Sequence, residues 1–222
     1  MTSHATIRDQ ASTHLEDGAV TPGYRANREK VIKLLNDALA TELVCHLRYK
    51  RHYFMAGSLR AQAIASEFLE HAEQEAQHAD KIAQRITQLG GEPDMNPDTL
   101  TKRSHADYDD STGLAAMVKA DLIAERIAID EYREMINSLG NDDPTTRRII
   151  EEVLAQEEEH ADELAGWLSS LGFNGEPKHK PRVANLGKGD AKPNLEQVVE
   201  VANELVTDEI HETRRKKIIR KD

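Results

Sequence analysis

Glu75-Ala76-Gln77-His78 and Glu157-Glu158-Glu159-His160 are the stretches whose reading decides the fold. In each, a carboxylate and an imidazole stand three positions apart. On a helix that spacing puts both on one face, within reach of one metal ion. Two further glutamates, Glu42 and Glu125, complete a pattern whose steps nearly repeat: 42 to 75 to 78, then 125 to 157 to 160. An inward Glu from each of two helices, with Glu-x-x-His from each of two others, is the donor set of a dinuclear iron or manganese centre in a four-helix bundle.

Apolar residues around these motifs recur at helical steps. From Asn27, a capping residue, one stripe runs Val31, Leu35, Ala38, Glu42, Cys45, Tyr49. Gly57-Ser58 breaks the pattern, and Ser58 is expected to cap a second helix. That helix carries Ile64, Phe68, His71, Glu75, His78, Ile82 and Leu89, and Leu89-Gly90-Gly91 ends it. A third stripe reads Val118, Leu122, Glu125, Ile129, Tyr132, Ile136, Leu139, stopping at Gly140. Asp143-Pro144 opens a fourth, with Ile150, Val153, Glu157, His160, Leu164, Trp167 and Leu171, stopped by Gly172.

The first and second helices, and the third and fourth, are thus joined by short turns. Between the hairpins lies Gly90–Thr112, with two prolines and no clear period. A segment that long inside a domain has a geometric use: some twenty extended residues span roughly 65 Å, more than the roughly 45 Å of a thirty-residue helix. It can return the chain to the other end of the bundle. The expected organisation is a polar, flexible arm over 1–26, a bundle over 27–172, and a Gly/Pro/Lys-rich linker with a C-terminal helix over 173–222. That last helix would carry Leu195, Val198, Val199, Ala202, Leu205, Val206 and Ile210 and end in the basic run 214–221.

The totals agree with an all-α chain. Of 222 residues only 4% are aromatic, against 31% charged, which favours helices over a β-sandwich. The net charge of -11 suits a protein that attracts cations; the chain as a whole does not look built to coat DNA or an anionic membrane. One cysteine, Cys45, excludes an intrachain disulfide framework and a Cys-rich metal cluster. No apolar run reaches the roughly 18 residues of a membrane span, and no signal-peptide core follows Met1. The expectation is a soluble, cytoplasmic protein.

Most of the 40 acidic residues read as a solvated face. Glu42, Glu75, Glu125 and Glu157 differ because each takes a seam position that its neighbours fill with Val, Leu or Ile. A buried, unpaired carboxylate costs at least several kcal/mol. Four of them would unfold a domain whose whole stability is roughly 5–15 kcal/mol. No Lys or Arg occupies these middle positions of the stripes. Two divalent cations balance four carboxylates, with His78 and His160 as neutral donors. This donor set suits iron or manganese better than zinc. Glu75 and Glu157 are expected to bridge; Glu42 with His78, and Glu125 with His160, complete the two positions. The alternative is that these are partly exposed glutamates on narrow stripes.

In these residues, Glu42, Glu75-x-x-His78, Glu125 and Glu157-x-x-His160, and in Tyr49 seven residues after Glu42, the chain resembles a bacterioferritin over about 27–172. The resemblance implies a ferritin-like antiparallel four-helix bundle with one long crossover, here with an additional C-terminal helix. It implies two Fe ions per subunit, with Mn as an alternative, and Fe(II) oxidation to Fe(III) by O2 or peroxide. It also implies a homo-oligomer, in the family often a hollow shell, that stores or detoxifies iron. Bacterioferritins that bind haem between subunits carry Met directly after the bridging Glu of the second helix. Here that position is Ala76, so haem is not expected there. Related readings are a manganese-catalase-like or rubrerythrin-like enzyme removing peroxide, and a non-catalytic metal-binding scaffold. One cysteine cannot build the rubredoxin domain of a rubrerythrin, and mini-ferritins that place metals between subunits fit less well.

Other residues read as support. His71 is expected to be a hydrogen-bonded core histidine, His46 and His52 surface groups, Cys45 a small buried apolar group, and Tyr132 and Trp167 core packing. The basic terminus is expected to complement a helix dipole rather than contact nucleic acid.

Overall fold

The computed structural model describes residues 3–58 and 61–172. The expected C-terminal helix and its basic end lie outside the described residues. Among these residues every regular element is a helix. Four long helices carry the stripes: α2 (Arg28–Ser58), α3 (Gln62–Gln88), α5 (Leu114–Leu139) and α6 (Pro144–Ser170). Two short ones, α1 (His4–Ala11) and α4 (Pro97–Arg103), lie outside the bundle seam.

Local chemistry sets most boundaries as the sequence implies. The Asn27 side chain accepts from the Lys30 amide and starts α2. At the end of α3 the Gly91 amide reaches Ile86 O and the Gly90 amide reaches Thr87 O. Gly90 sits at φ +73°, the left-handed conformation that this closure needs. Asp143 caps α6 through the Thr146 amide, with Pro144 at the first helical position.

Three expectations are corrected. Ser58 does not cap α3: it is the last residue of α2, and its hydroxyl donates back to Met55 O at 2.6 Å. Residue Ala61 precedes α3 with no side-chain cap. The polar arm contains α1, started by Ser3, whose hydroxyl accepts from the Thr6 amide; none of its residues is buried. The crossover is not without helix. Asn96 caps α4, and Pro97 opens it, as Asp143-Pro144 open α6.

The crossover is stitched along α2. Leu89 O accepts from Arg28. Asn36 accepts from the Asp94 amide at 2.7 Å, and Leu100 packs with Ala40 and Val44. Arg48 donates to Asp107 O at 3.0 Å, and Arg51 to Ser111 O at 2.7 Å. From Arg28 to Arg51 the helix rises about 35 Å, so the segment does carry the chain from one end of the bundle to the other. Contacts across the bundle run in opposite order on facing helices: Glu42 meets Tyr132 while Tyr49 meets Glu125. The helices α2 and α5 are therefore antiparallel.

Two apolar clusters fill the ends of the bundle. One contains Val31, Leu35, Leu39, Ile82, Ile86, Leu139, Ile150 and Val153. The other contains Tyr49, Ile64, Phe68, Met117, Val118 and Leu164. On each long helix the singled-out Glu and His residues fall between these clusters. The apolar plugs supply the burial that holds the bundle together, and they keep the polar layer between them from water.

Candidate metal centre

The six side chains named from the sequence meet in that layer. Glu42, Glu75, Glu125, Glu157 and His160 are each 1% exposed and His78 is 0% exposed. The reading of exposed glutamates on narrow stripes is thereby removed. Their donor atoms form two groups, Glu42–Glu75–His78–Glu157 and Glu75–Glu125–Glu157–His160, each within 4.8 Å. Glu75 and Glu157 belong to both. Each group is three carboxylates and one imidazole, the size of one cation's shell.

The contacts inside the layer are close but poorly satisfied. His78 Nδ1 lies 3.1 Å from Glu157 Oε1, and His160 Nδ1 lies 3.2 Å from Glu157 Oε2 and 3.3 Å from Glu75 Oε1. Yet Glu75 Oε1, both Glu157 oxygens and His160 Nδ1 have no partner in hydrogen-bond geometry. Buried polar atoms are rarely left so. A cation at the centre of each group satisfies all of them, so the residues present fit a pair of divalent ions.

The electrostatics have the same cause. Burial, then the charges of Glu157 and Glu75, push Glu42 and Glu125 well above the usual carboxylate range. Burial works to raise Glu75 too, but the facing imidazoles of His160 and His78 outweigh it and hold Glu75 well below that range. Burial alone would lower the histidines. Glu157, with Glu42 and Glu75, overcomes it and pushes His78 up; Glu157 and Glu75 push His160 up to about 10. In the metal-free layer, protons on imidazoles stand where cations can stand.

Around the six, two pairs of contacts cross between the hairpins. The Tyr132 hydroxyl donates to Glu42, and the Tyr49 hydroxyl to Glu125. Each tyrosine follows one of these glutamates by seven residues and braces the other. His78 Nε2 meets Gln156 Oε1 at 2.7 Å, and His160 Nε2 meets Gln74 Oε1 at 2.7 Å. An amide oxygen accepts, so each Nε2 carries a proton, and each Nδ1, once its own proton gives way to a cation, presents a lone pair to the centre. Gln74 and Gln156 are not among the residues that the sequence pattern singles out. Their signal was their place: each directly precedes the first Glu of its motif.

His71 is buried as a core histidine should be, with Nε2 3.2 Å from Glu163. Cys45 is buried. Tyr132 is fully buried and Trp167 partly buried among apolar neighbours. His52 is corrected: it is 0% exposed, not a surface group. Its Nδ1 lies 2.8 Å from Asp121, which also accepts from the buried Arg48 at 2.7 Å. Asp121 stands one turn before Glu125 on the inner face of α5, where a charge was not anticipated. His46 is half-buried and its Nδ1 lies 2.7 Å from Ala72 O.

Comparison with known proteins agrees with this architecture. A bacterioferritin from Brucella melitensis is 31% identical over 68% of this chain and 89% of its own length. A DNA protection during starvation protein from Pyrococcus furiosus is 29% identical over 72% of this chain and 90% of its own length. Among solved structures, a dodecameric thioferritin, the bacterioferritin-related protein from Bacteroides fragilis, superposes with a TM-score of 0.62 at 33% identity. It covers 66% of this chain and 88% of that one. The model of the ferritin-like domain matches residues 32–173, and with the all-helical bundle around it this places the chain in the ferritin-like family.

Proposed function

We propose that this protein is a ferroxidase. It binds two Fe(II) ions as substrate, Glu42, Glu75, His78 and Glu157 holding one and Glu75, Glu125, Glu157 and His160 the other, and passes their electrons to O2 or peroxide. One observation carries the reading: two buried four-donor groups share Glu75 and Glu157, and Glu75 Oε1 and both Glu157 oxygens have no hydrogen-bond partner. Sharing both carboxylates holds two ions side by side, which is what a two-electron oxidation of paired ions needs. Gln74 and Gln156 fix the tautomer of the two histidines. Tyr49 and Tyr132 orient the terminal glutamates. The apolar clusters exclude bulk water, so charge developing at the pair is stabilised by the four carboxylates alone.

The protein is further proposed to work as a homo-oligomer that stores or detoxifies iron. Leu47 and Phe54, seven residues apart on α2, are 52% and 66% exposed, and Ile123 on α5 is 50% exposed. Leu47 and Phe54 stand on one face of α2, and a shared exposed apolar face favours a partner. The dodecameric neighbour favours a second copy of this chain. Relatives named for DNA protection raise a second reading, in which the assembly also contacts DNA. The net charge of -11 opposes it.

Anaerobic Fe(II) titration of the full chain, followed by admission of O2, tests the main reading. Two Fe(II) per chain and a fast oxidation phase are expected. Glu75→Ala and His78→Ala should abolish that phase with helicity retained; unchanged kinetics refute the assignment. Manganese with O2 release from peroxide would favour a catalase, and bound metal with neither activity a scaffold. A salt-sensitive shift of DNA by the full chain would favour the DNA reading.

A further inference from the structure

Beside the dinuclear layer lies a cluster that the function above does not use. His71 on α3 is 1% exposed, and its Nε2 stands 3.2 Å from Glu163 Oε2 on α6. Glu67 precedes His71 by four residues on the same helix, the spacing that stacks two side chains on one face. One donor atom from each of Glu67, His71 and Glu163 falls within 4.8 Å of the others. A first-row cation bonds imidazole nitrogen and carboxylate oxygen at about 2.0–2.2 Å. Donors on opposite sides of one ion are then roughly 4.2 Å apart, so small side-chain adjustments close the shell.

The state of the ring is the second observation. Most buried ring nitrogens are hydrogen-bonded. Here Nδ1 is buried with no hydrogen-bond partner. A turn of the ring about its Cβ–Cγ bond presents either nitrogen to the two carboxylates. The ring is stacked on His160 with centroids 4.1 Å apart and an angle of 21°, and Tyr49 meets it edge-on at 5.2 Å. Glu163, in contrast, is 28% exposed, so the carboxylate side of the cluster reaches solvent.

We propose that Glu67, His71 and Glu163 form a third cation position, outside the pair, for a divalent first-row transition-metal ion. Three protein donors leave the remaining coordination to water from the exposed side. The stacking of His71 on His160 puts this ion one side chain away from the dinuclear layer, on the side where Glu163 reaches solvent. The position stands on its own three residues and does not require the oxidation chemistry.

Equilibrium dialysis of the full chain against Co(II), with metal counted per chain, tests it. The double variant Glu67→Gln/Glu163→Gln keeps size and shape at two partly exposed sites. It should hold one Co(II) per chain fewer than the wild type, with unchanged helicity. Glu75→Ala should lose ions of the pair and keep the third. If the double variant binds as many ions as the wild type, the proposal is overturned. If Glu75→Ala binds as many as the wild type, the paired centre is the reading that fails, and the third position stands.

Discussion

Stripping the divalent ions and raising the pH tests the charge balance of the buried layer directly. Without metal, burial opposes the charge on His160, but Glu157 and Glu75 outweigh it and hold the imidazole at about 10 rather than 6.5. A group whose folded value is raised gives stability that is fully present below its unfolded value and lost as pH climbs through the folded one. For His160 the loss begins near pH 6.5 and is complete near pH 10. His78, pushed up by the same carboxylates, acts in the same direction. Glu42 and Glu125 also lie above their ordinary 4.5 and bring a loss that starts lower. Glu75, held down, acts only on the acid side. One proton costs about 1.36 kcal/mol per pH unit. From pH 6.5 to about 8.5, His160 alone removes roughly 2–3 kcal/mol, with no solvent screening to discount at 1% exposure. In a chain of this size that is about 5–10 °C of melting temperature. Metal-bound histidines carry no such proton, so the loaded protein escapes the loss. Thermal melts followed by far-UV circular dichroism, apo and Co(II)-loaded, should therefore diverge as pH rises. An apo melting temperature that is flat or rising from pH 6.5 to about 8.5, or parallel curves, would refute the reasoning.

Gln74→Leu or Gln156→Leu removes the acceptor that fixes one histidine tautomer, and metal affinity measured by competition with a chelator should fall roughly 10- to 100-fold, with the fold intact. Phe54→Glu should shift the native mass toward smaller assemblies while the metal count per chain stays constant; an unchanged mass would take that face out of the interface. Asp121→Ala leaves Arg48 buried without its counter-charge, and denaturant unfolding should show a loss of roughly 3–5 kcal/mol.

The bundle was legible because its signals are local and periodic. Caps at Asn27 and Asp143-Pro144 and stops at Gly90, Gly140 and Gly172 sit where the structure uses them. The meeting of the six Glu and His residues followed from the same periodicity, since each occupies a seam position. What escaped depended on neighbours in space. Ser58 has good capping chemistry, yet α2 continues through it. Asn96-Pro97 repeats the Asp143-Pro144 signal but opens only the short α4, too brief to show a period. His52 reads as surface, and Arg48 carries no signal of burial, because the burial of both depends on Asp121, 69 and 73 residues away. Gln74 and Gln156 carry no charge and so drew no notice. Their role exists only because α3 and α6 pass each other in opposite directions.

The Arg48–Asp121–His52 lock has a further consequence. The residues of the metal layer repeat between the two hairpins at nearly constant offset, 42 with 125 and 49 with 132. By that offset Asp121 corresponds to Ala38, and Arg48 to Glu131. A first hairpin meeting another first hairpin, during assembly of many chains, would bury Arg48 against Ala38 with nothing to neutralise it. The fold is thus nearly palindromic in its chemistry but keyed in one corner. That key lets a first hairpin tell a second hairpin from another first one, and dimers paired first hairpin to first hairpin in refolded Asp121→Ala would show its loss.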